Sequence, residues 1–222
     1  MTTGRIETVI FDLDGTLVDS MPGIEYAAEV AWAAVQPGPA CPSLRPLIGP
    51  PIREMFRRAL PDAATATLDA LERAFRSAYD TGGWRRTAVY PGVIETLARL
   101  AELGVHCFGV TNKPSLPTQR ILDHCGLRPY FRAFLSPDAR VPRFASKAEA
   151  VAALLAEYAL ERERSVLMGD TPDDAQAAEA CGLRFVGFAG GYGRARQATE
   201  VEADWPCADF TDLLAIVRGE TV

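Results

Sequence analysis

The sequence predicts an α/β fold: a Rossmann-like parallel sheet with helices on both faces, plus an inserted helical cap domain. Three observations lead there. Short apolar runs alternate with amphipathic segments from residue 88 onward, the pattern of a parallel sheet flanked by helices. Residues 16–87 interrupt that alternation with helix-like patterns and no convincing strand. The first apolar run, Val9-Ile10-Phe11, ends in Asp12-Leu13-Asp14-Gly15, a strand giving way to an acidic turn. These features divide the chain into a core of residues 1–15 and 88–222 and a cap of residues 16–87.

The elements follow in order. Residues 25–35 are alanine-rich and helical. Residues 37–51 are broken by proline and glycine and are expected to be loop. Residues 52–60 and 65–79 are amphipathic, with Leu68, Leu71 and Phe75 at helical spacing. Trp32, Phe56 and Phe75 are expected in the cap core. A helix over 93–103 ends at Gly104, and a buried strand covers 105–110. A helix over 117–125 ends at Gly126, and a strand covers 131–135. Ser146-Lys147-Ala148-Glu149 has capping-box spacing at a helix start. A strand over 165–168, a helix over 173–181 closed by Gly182, and a strand over 184–187 come next. Thr211 is expected to cap a last helix reaching Arg218.

Composition narrows the function. The 222 residues carry 48% hydrophobic and 23% charged side chains, with a net charge of −6. The resulting pI near 5.1 argues against a general nucleic-acid or membrane-surface binder. Five scattered cysteines lack zinc-site or redox-pair spacing, and two histidines cannot build a histidine-rich metal site. Reduced thiols suit the cytoplasm. No run reaches the ~18–20 apolar residues of a membrane span. Residues 1–7 are polar and unlike a signal peptide.

Residues i and i+2 of a strand share a face, so Asp12 and Asp14 project together beyond the first strand. Two later strands end in Thr111-Asn112-Lys113 and in Gly169-Asp170-Thr171-Pro172-Asp173-Asp174. Ligands of open α/β sheets bind at such carboxyl ends. The set suits phosphoryl transfer. Asp12 is the candidate nucleophile, forming an aspartyl phosphate. Asp14 would protonate the leaving oxygen and then deprotonate water. Thr111 and Lys147 would hold phosphate oxygens, with Asn112 and Lys113 beside them. Asp12, Asp170 and the Asp14 carbonyl suit Mg²⁺, a hard cation that prefers oxygen ligands. In the cap, Arg53 adjoins the Gly49-Pro50-Pro51 loop as a candidate substrate contact.

The chain resembles the haloacid dehalogenase superfamily hydrolases with a helical cap, on their phosphoglycolate phosphatase-like branch. Asp12-Leu13-Asp14-Gly15-Thr16 is similar to the family's first motif, Thr111 to the second, Lys147 to the third, and Gly169-Asp170 with Asp174 to the fourth. Leu47-Ile48-Gly49-Pro50-Pro51, Tyr90-Pro91-Gly92-Val93 and Gly190-Gly191-Tyr192-Gly193 add to the likeness. The resemblance implies a Mg²⁺-dependent phosphatase of small phosphorylated metabolites, with Asp174 as a second metal acid. It departs at Ala148, where the family's lysine is often followed by proline, and it leaves Asp173 and Arg143 as neighbouring alternatives to Asp174 and Lys147. A monomer or homodimer without nucleic-acid or membrane partners is expected. Two other readings are a sugar phosphomutase of the superfamily and a silent binding protein. Residues 16–87 contain neither lysine nor histidine, which counts against the mutase's cap acid/base pair.

Overall fold

The computed structural model describes residues 5–38, 40–195 and 203–220. The polar N-terminus expected to lack a leader lies partly outside them, at residues 1–4.

The core is a parallel six-stranded sheet in the order β5-β4-β1-β6-β7-β8, formed by β1 (Thr8–Phe11), β4 (His106–Val110), β5 (Phe131–Leu135), β6 (Ser165–Gly169), β7 (Arg184–Phe188) and β8 (Trp205–Cys207). Strand β1 is central and wholly buried, with Ile10 paired to Phe108 on one side and Leu167 on the other. Its side chains alternate between two apolar clusters. Val9, Phe11 and Leu13 join the face covered by α4 (Val93–Glu102) and α8 (Leu213–Arg218). Ile10 joins the face covered by α6 (Lys147–Glu157) and α7 (Pro172–Cys181). Asp12 continues the Ile10 series, and Leu13 turns into the opposite cluster, as the two-residue period requires.

Helices α1 (Met21–Val35), α2 (Ile52–Ala59) and α3 (Thr65–Thr81) bury an apolar cluster of their own. Trp32, Phe56, Leu68, Leu71 and Phe75 all enter it, and Phe56 packs edge-on to Phe75. The remaining helix, α5 (Ser115–His124), follows β4.

Four local expectations are corrected. Residues 16–87 do contain a strand: β2 (Val18–Asp19) pairs antiparallel with β3 (Ala88–Val89). Two-residue strands are too short to leave a periodic signal. Helix α1 begins at Met21 rather than residue 25, because Pro22 sits in the first turn, where its missing N–H costs nothing. Strand β8 was not foreseen; its Pro206 is tolerated because the strand lies at the sheet edge. Thr211 is not the last cap. Asp209 and Asp212 form a reciprocal capping box around Phe210–Asp212, which leads into α8. The Ser146 cap does form, with its Oγ accepting the Glu149 N–H at 3.1 Å.

Candidate active site

The carboxyl ends of β1, β4 and β6 face the three-helix unit across a cavity of about 460 Å³. Asp12, Asp14, Thr111, Asn112 and Lys147 all line it. This is where the order of strands leaves a crevice, with β4 and β6 flanking β1.

Three buried aspartates converge at the strand ends, and of these Asp12 lines the cavity. One carboxylate oxygen each from Asp12, Asp170 and Asp174 lie within 4.8 Å of one another. Lys147 Nζ donates to Asp12 Oδ1 at 2.7 Å and to Asp174 Oδ1 at 2.5 Å. Its position at the first turn of α6 aims it along the sheet end, and its side chain is 4% exposed. Burial alone would lower the ammonium's pKa, but Asp12 and Asp174 raise it, so the lysine stays charged. Burial raises the Asp12 pKa well above the usual carboxylate range. Lys147 opposes the shift, while Asp174 and Asp170 add to it.

Asp174 serves two structures with its two oxygens. Oδ2 accepts the Thr171 N–H at 3.0 Å and hydroxyl at 2.6 Å, closing the capping box of α7. Oδ1 faces Lys147. Asp173, one residue earlier, points elsewhere and accepts from Asn112 Nδ2 at 2.7 Å.

Asp170 sits in a backbone cradle. Its Oδ2 accepts the N–H groups of Tyr192 at 2.7 Å and Gly193 at 3.2 Å, and its Oδ1 accepts the Thr16 hydroxyl at 3.1 Å. Burial, reinforced by Asp174, pushes its pKa up to about 7. Gly15 has φ +88°, and a Cβ there would stand 2.4 Å from Asp170 Oδ2. Both backbone conformation and space therefore require glycine after Asp14.

Hard oxygen donors, burial and surplus negative charge fit a small divalent cation such as Mg²⁺: Lys147 brings one positive charge to three carboxylates. Asp12, Asp170 and Asp174 are the side chains that would hold it.

Asp14 lies apart from this cluster. Its Oδ1 accepts the Ser20 hydroxyl at 2.5 Å, and its Oδ2 pairs with Lys113 Nζ at 2.9 Å. Lys113 also donates to the Tyr79 hydroxyl on α3 at 3.1 Å. Thr111 is buried, and its Oγ1 accepts the Lys113 N–H at 3.1 Å. Asn112 Nδ2 also reaches the Gly49 carbonyl of the cap loop, at 3.5 Å.

Arg53 is not brought to the site. It pairs with Asp69 and stands 3.7 Å from Glu72 on α3, outside the cavity wall. Arg76, one helix over, lines the cavity instead, bound to Glu72 at 2.7 Å. The residues not foreseen are Ser20, Tyr79 and Tyr192. The Tyr192 hydroxyl accepts the Ser20 and Met21 N–H groups at 2.6 and 2.9 Å and donates to Asp19 Oδ1 at 3.0 Å. Only its place in the Gly190–Gly193 loop marked it in the sequence.

Comparison with known proteins identifies the family. The profile of the haloacid dehalogenase-like hydrolase family matches residues 9–188. A phosphoglycolate phosphatase of Pseudomonas syringae is 32% identical over 95% of this chain and 78% of its own length. One from Vibrio parahaemolyticus is 30% identical over 98% of both chains. Among solved structures, a haloacid dehalogenase-like hydrolase from Streptococcus pneumoniae superposes with TM-score 0.85 at 24% identity, over 97% of this chain and 99% of its own. A predicted phosphoglycolate phosphatase from Haemophilus somnus does so with TM-score 0.83 at 26% identity, over 95% and 97%. The chain belongs to the haloacid dehalogenase-like hydrolase family and is an enzyme of its phosphatase class.

Proposed function

We propose that this enzyme is a Mg²⁺-dependent phosphatase that hydrolyses small phosphate monoesters through an aspartyl phosphate on Asp12. The observation that carries this reading is the division of labour between the two aspartates that follow β1. Asp12 is buried with Asp170, Asp174 and Lys147, whereas Asp14 stands outside that cluster, held by Ser20 and Lys113. One carboxylate is thereby set up as nucleophile and the other as acid and base.

An Asp12 oxygen attacks phosphorus, and the bond to the leaving oxygen breaks. Asp14 gives that oxygen a proton, so the product leaves as an alcohol. Asp14 then takes a proton from water, which attacks phosphorus and breaks the bond to Asp12, releasing phosphate. Lys147 and the Thr111 hydroxyl stabilise charge on the transferring oxygens. Bound Mg²⁺ would neutralise the charge between an anionic nucleophile and an anionic ester.

The division into a core of residues 1–15 and 88–222 and a cap of 16–87 belongs to this reading, with the cap sheltering the reaction from water. Five unbridged cysteines support a cytoplasmic setting. Among the described residues no helix is long and apolar enough to cross a membrane. We take the working form to be a monomer or homodimer. Phosphoglycolate, the substrate in the relatives' names, is the first ester to assay. The test is phosphate release with Mg²⁺ and with EDTA. Metal-dependent release supports the reading, and silence toward every ester rejects it.

A further inference from the structure

The cap side of the cavity is mostly apolar, with Arg76, Tyr79 and Asp80 as its polar members. Ile24, Ile48, Pro50, Ile52, Met55 and Phe75 all face it. The cap is already seated on the core: Tyr79 meets Lys113, the Gly49 carbonyl meets Asn112, and Arg120 Nη1 donates to the Asp80 carbonyl at 2.6 Å. The cavity of about 460 Å³ therefore persists with these contacts made. That size falls within the roughly 300–1,000 Å³ of sites that enclose larger organic ligands. A two-carbon acid would leave most of the apolar wall without a partner.

Charge tells the same way. Three of the four cationic wall residues are already engaged by acids: Lys147 by Asp12, Lys113 by Asp14, and Arg76 by Glu72. Arg143 lines the core side, near Asp138, whose carboxylate is held chiefly by the Ser115 N–H and hydroxyl. The cap thus offers a leaving-group carboxylate little uncommitted charge, and offers carbon a broad surface.

We infer that the preferred substrate is a phosphate monoester whose alcohol is larger than a two-carbon acid and carries an extended apolar face, seated against Ile48, Ile52, Met55 and Phe75. This rests on the phosphatase reading above. Ile48 and Ile52 are half-buried at the edge of the cap cluster, so changing them spares its centre.

The test compares kcat/KM for ethyl phosphate, butyl phosphate, benzyl phosphate and phosphoglycolate, all esters of primary alcohols, with Mg²⁺ present. Benzyl phosphate should exceed both ethyl phosphate and phosphoglycolate by at least about tenfold, the lower end of what one hydrophobic contact gives in discrimination. Ile52→Ser and, independently, Ile48→Ser should lower the benzyl-to-ethyl ratio several-fold, with cooperative thermal melting checking that each variant is folded. Phosphoglycolate matching or surpassing benzyl phosphate would overturn the inference and leave the phosphatase reading standing. A benzyl-to-ethyl ratio unmoved in both folded variants would also overturn it. Failure to hydrolyse any ester would overturn the phosphatase reading itself.

Discussion

Lys113 places its ammonium 2.9 Å from the Asp14 carboxylate while also donating to the Tyr79 hydroxyl of the cap. Burial disfavours the lysine's charge, but Asp14 and Tyr79 outweigh it and the pKa rises. The lysine thus joins the candidate acid/base to the element that closes over it. Asp14→Asn should lower kcat by about 10²–10⁴-fold, the usual contribution of a positioned acid or base. Lys113→Met should cost less alone, and in the Asp14→Asn background it should cost almost nothing further. Steady-state kinetics of the four proteins in this cycle decide the point; independent, additive losses would show that Lys113 works through another group.

Asp12→Asn should reduce phosphate release below detection while circular dichroism and melting stay native-like. The substitution keeps the volume, replaces a carboxylate oxygen by an amide nitrogen and removes the charge paired with Lys147. Turnover at a substantial fraction of wild type would remove Asp12 from that role.

The candidate metal site should be weakened by a change that touches none of its candidate ligands. A Cβ on Gly191 would lie 2.4 Å from the Asp170 Cβ and 2.2 Å from the Gly15 carbonyl oxygen. Gly191→Ala must therefore shift the loop that holds Asp170. Titration calorimetry should show Mg²⁺ affinity falling by roughly 10–100-fold, as for other losses of support around a metal ligand. Asp170→Asn should weaken binding at least as much. Unchanged affinity in both would place the ion elsewhere.

Burial pushes the Cys107 thiol up to about 12, from 9.0 when exposed. The folded state therefore holds a proton that the unfolded chain releases first. The stability this brings is complete below pH 9 and is lost as pH rises toward 12, at up to about 1.4 kcal/mol per unit. Cys107→Ala should be the less stable protein at pH 7, by about 1 kcal/mol of lost packing. The gap should narrow in denaturant melts between pH 9 and 11. A constant gap would mean that the thiol does not titrate differently in the two states.

Much of the site was legible because its residues lie in short motifs at strand ends. The two-residue spacing of Asp12 and Asp14 located them beside β1, and the helix-start signal at Ser146 located Lys147. Arg53 was misleading, because nothing in the chain order shows that Asp69 and Glu72 on the next helix would take its charge. Strands β2 and β3 left no periodic trace, being two residues each and 69 positions apart in pairing Asp19 with Ala88.

The α/β class, the helical insertion after β1 and the acidic strand ends are readable from the chain alone, since these rest on local periodicity and on spacing within a few residues. The partners of each side chain come from the folded arrangement. That arrangement gives Asp174 both a helix cap and Lys147, and sets Tyr192 against Ser20, 172 positions away. It also separated Asp12 from Asp14 electrostatically. Hydrogen bonds and buried charge depend on through-space distance, and that distance exists only once the sheet is stacked and the cap is seated.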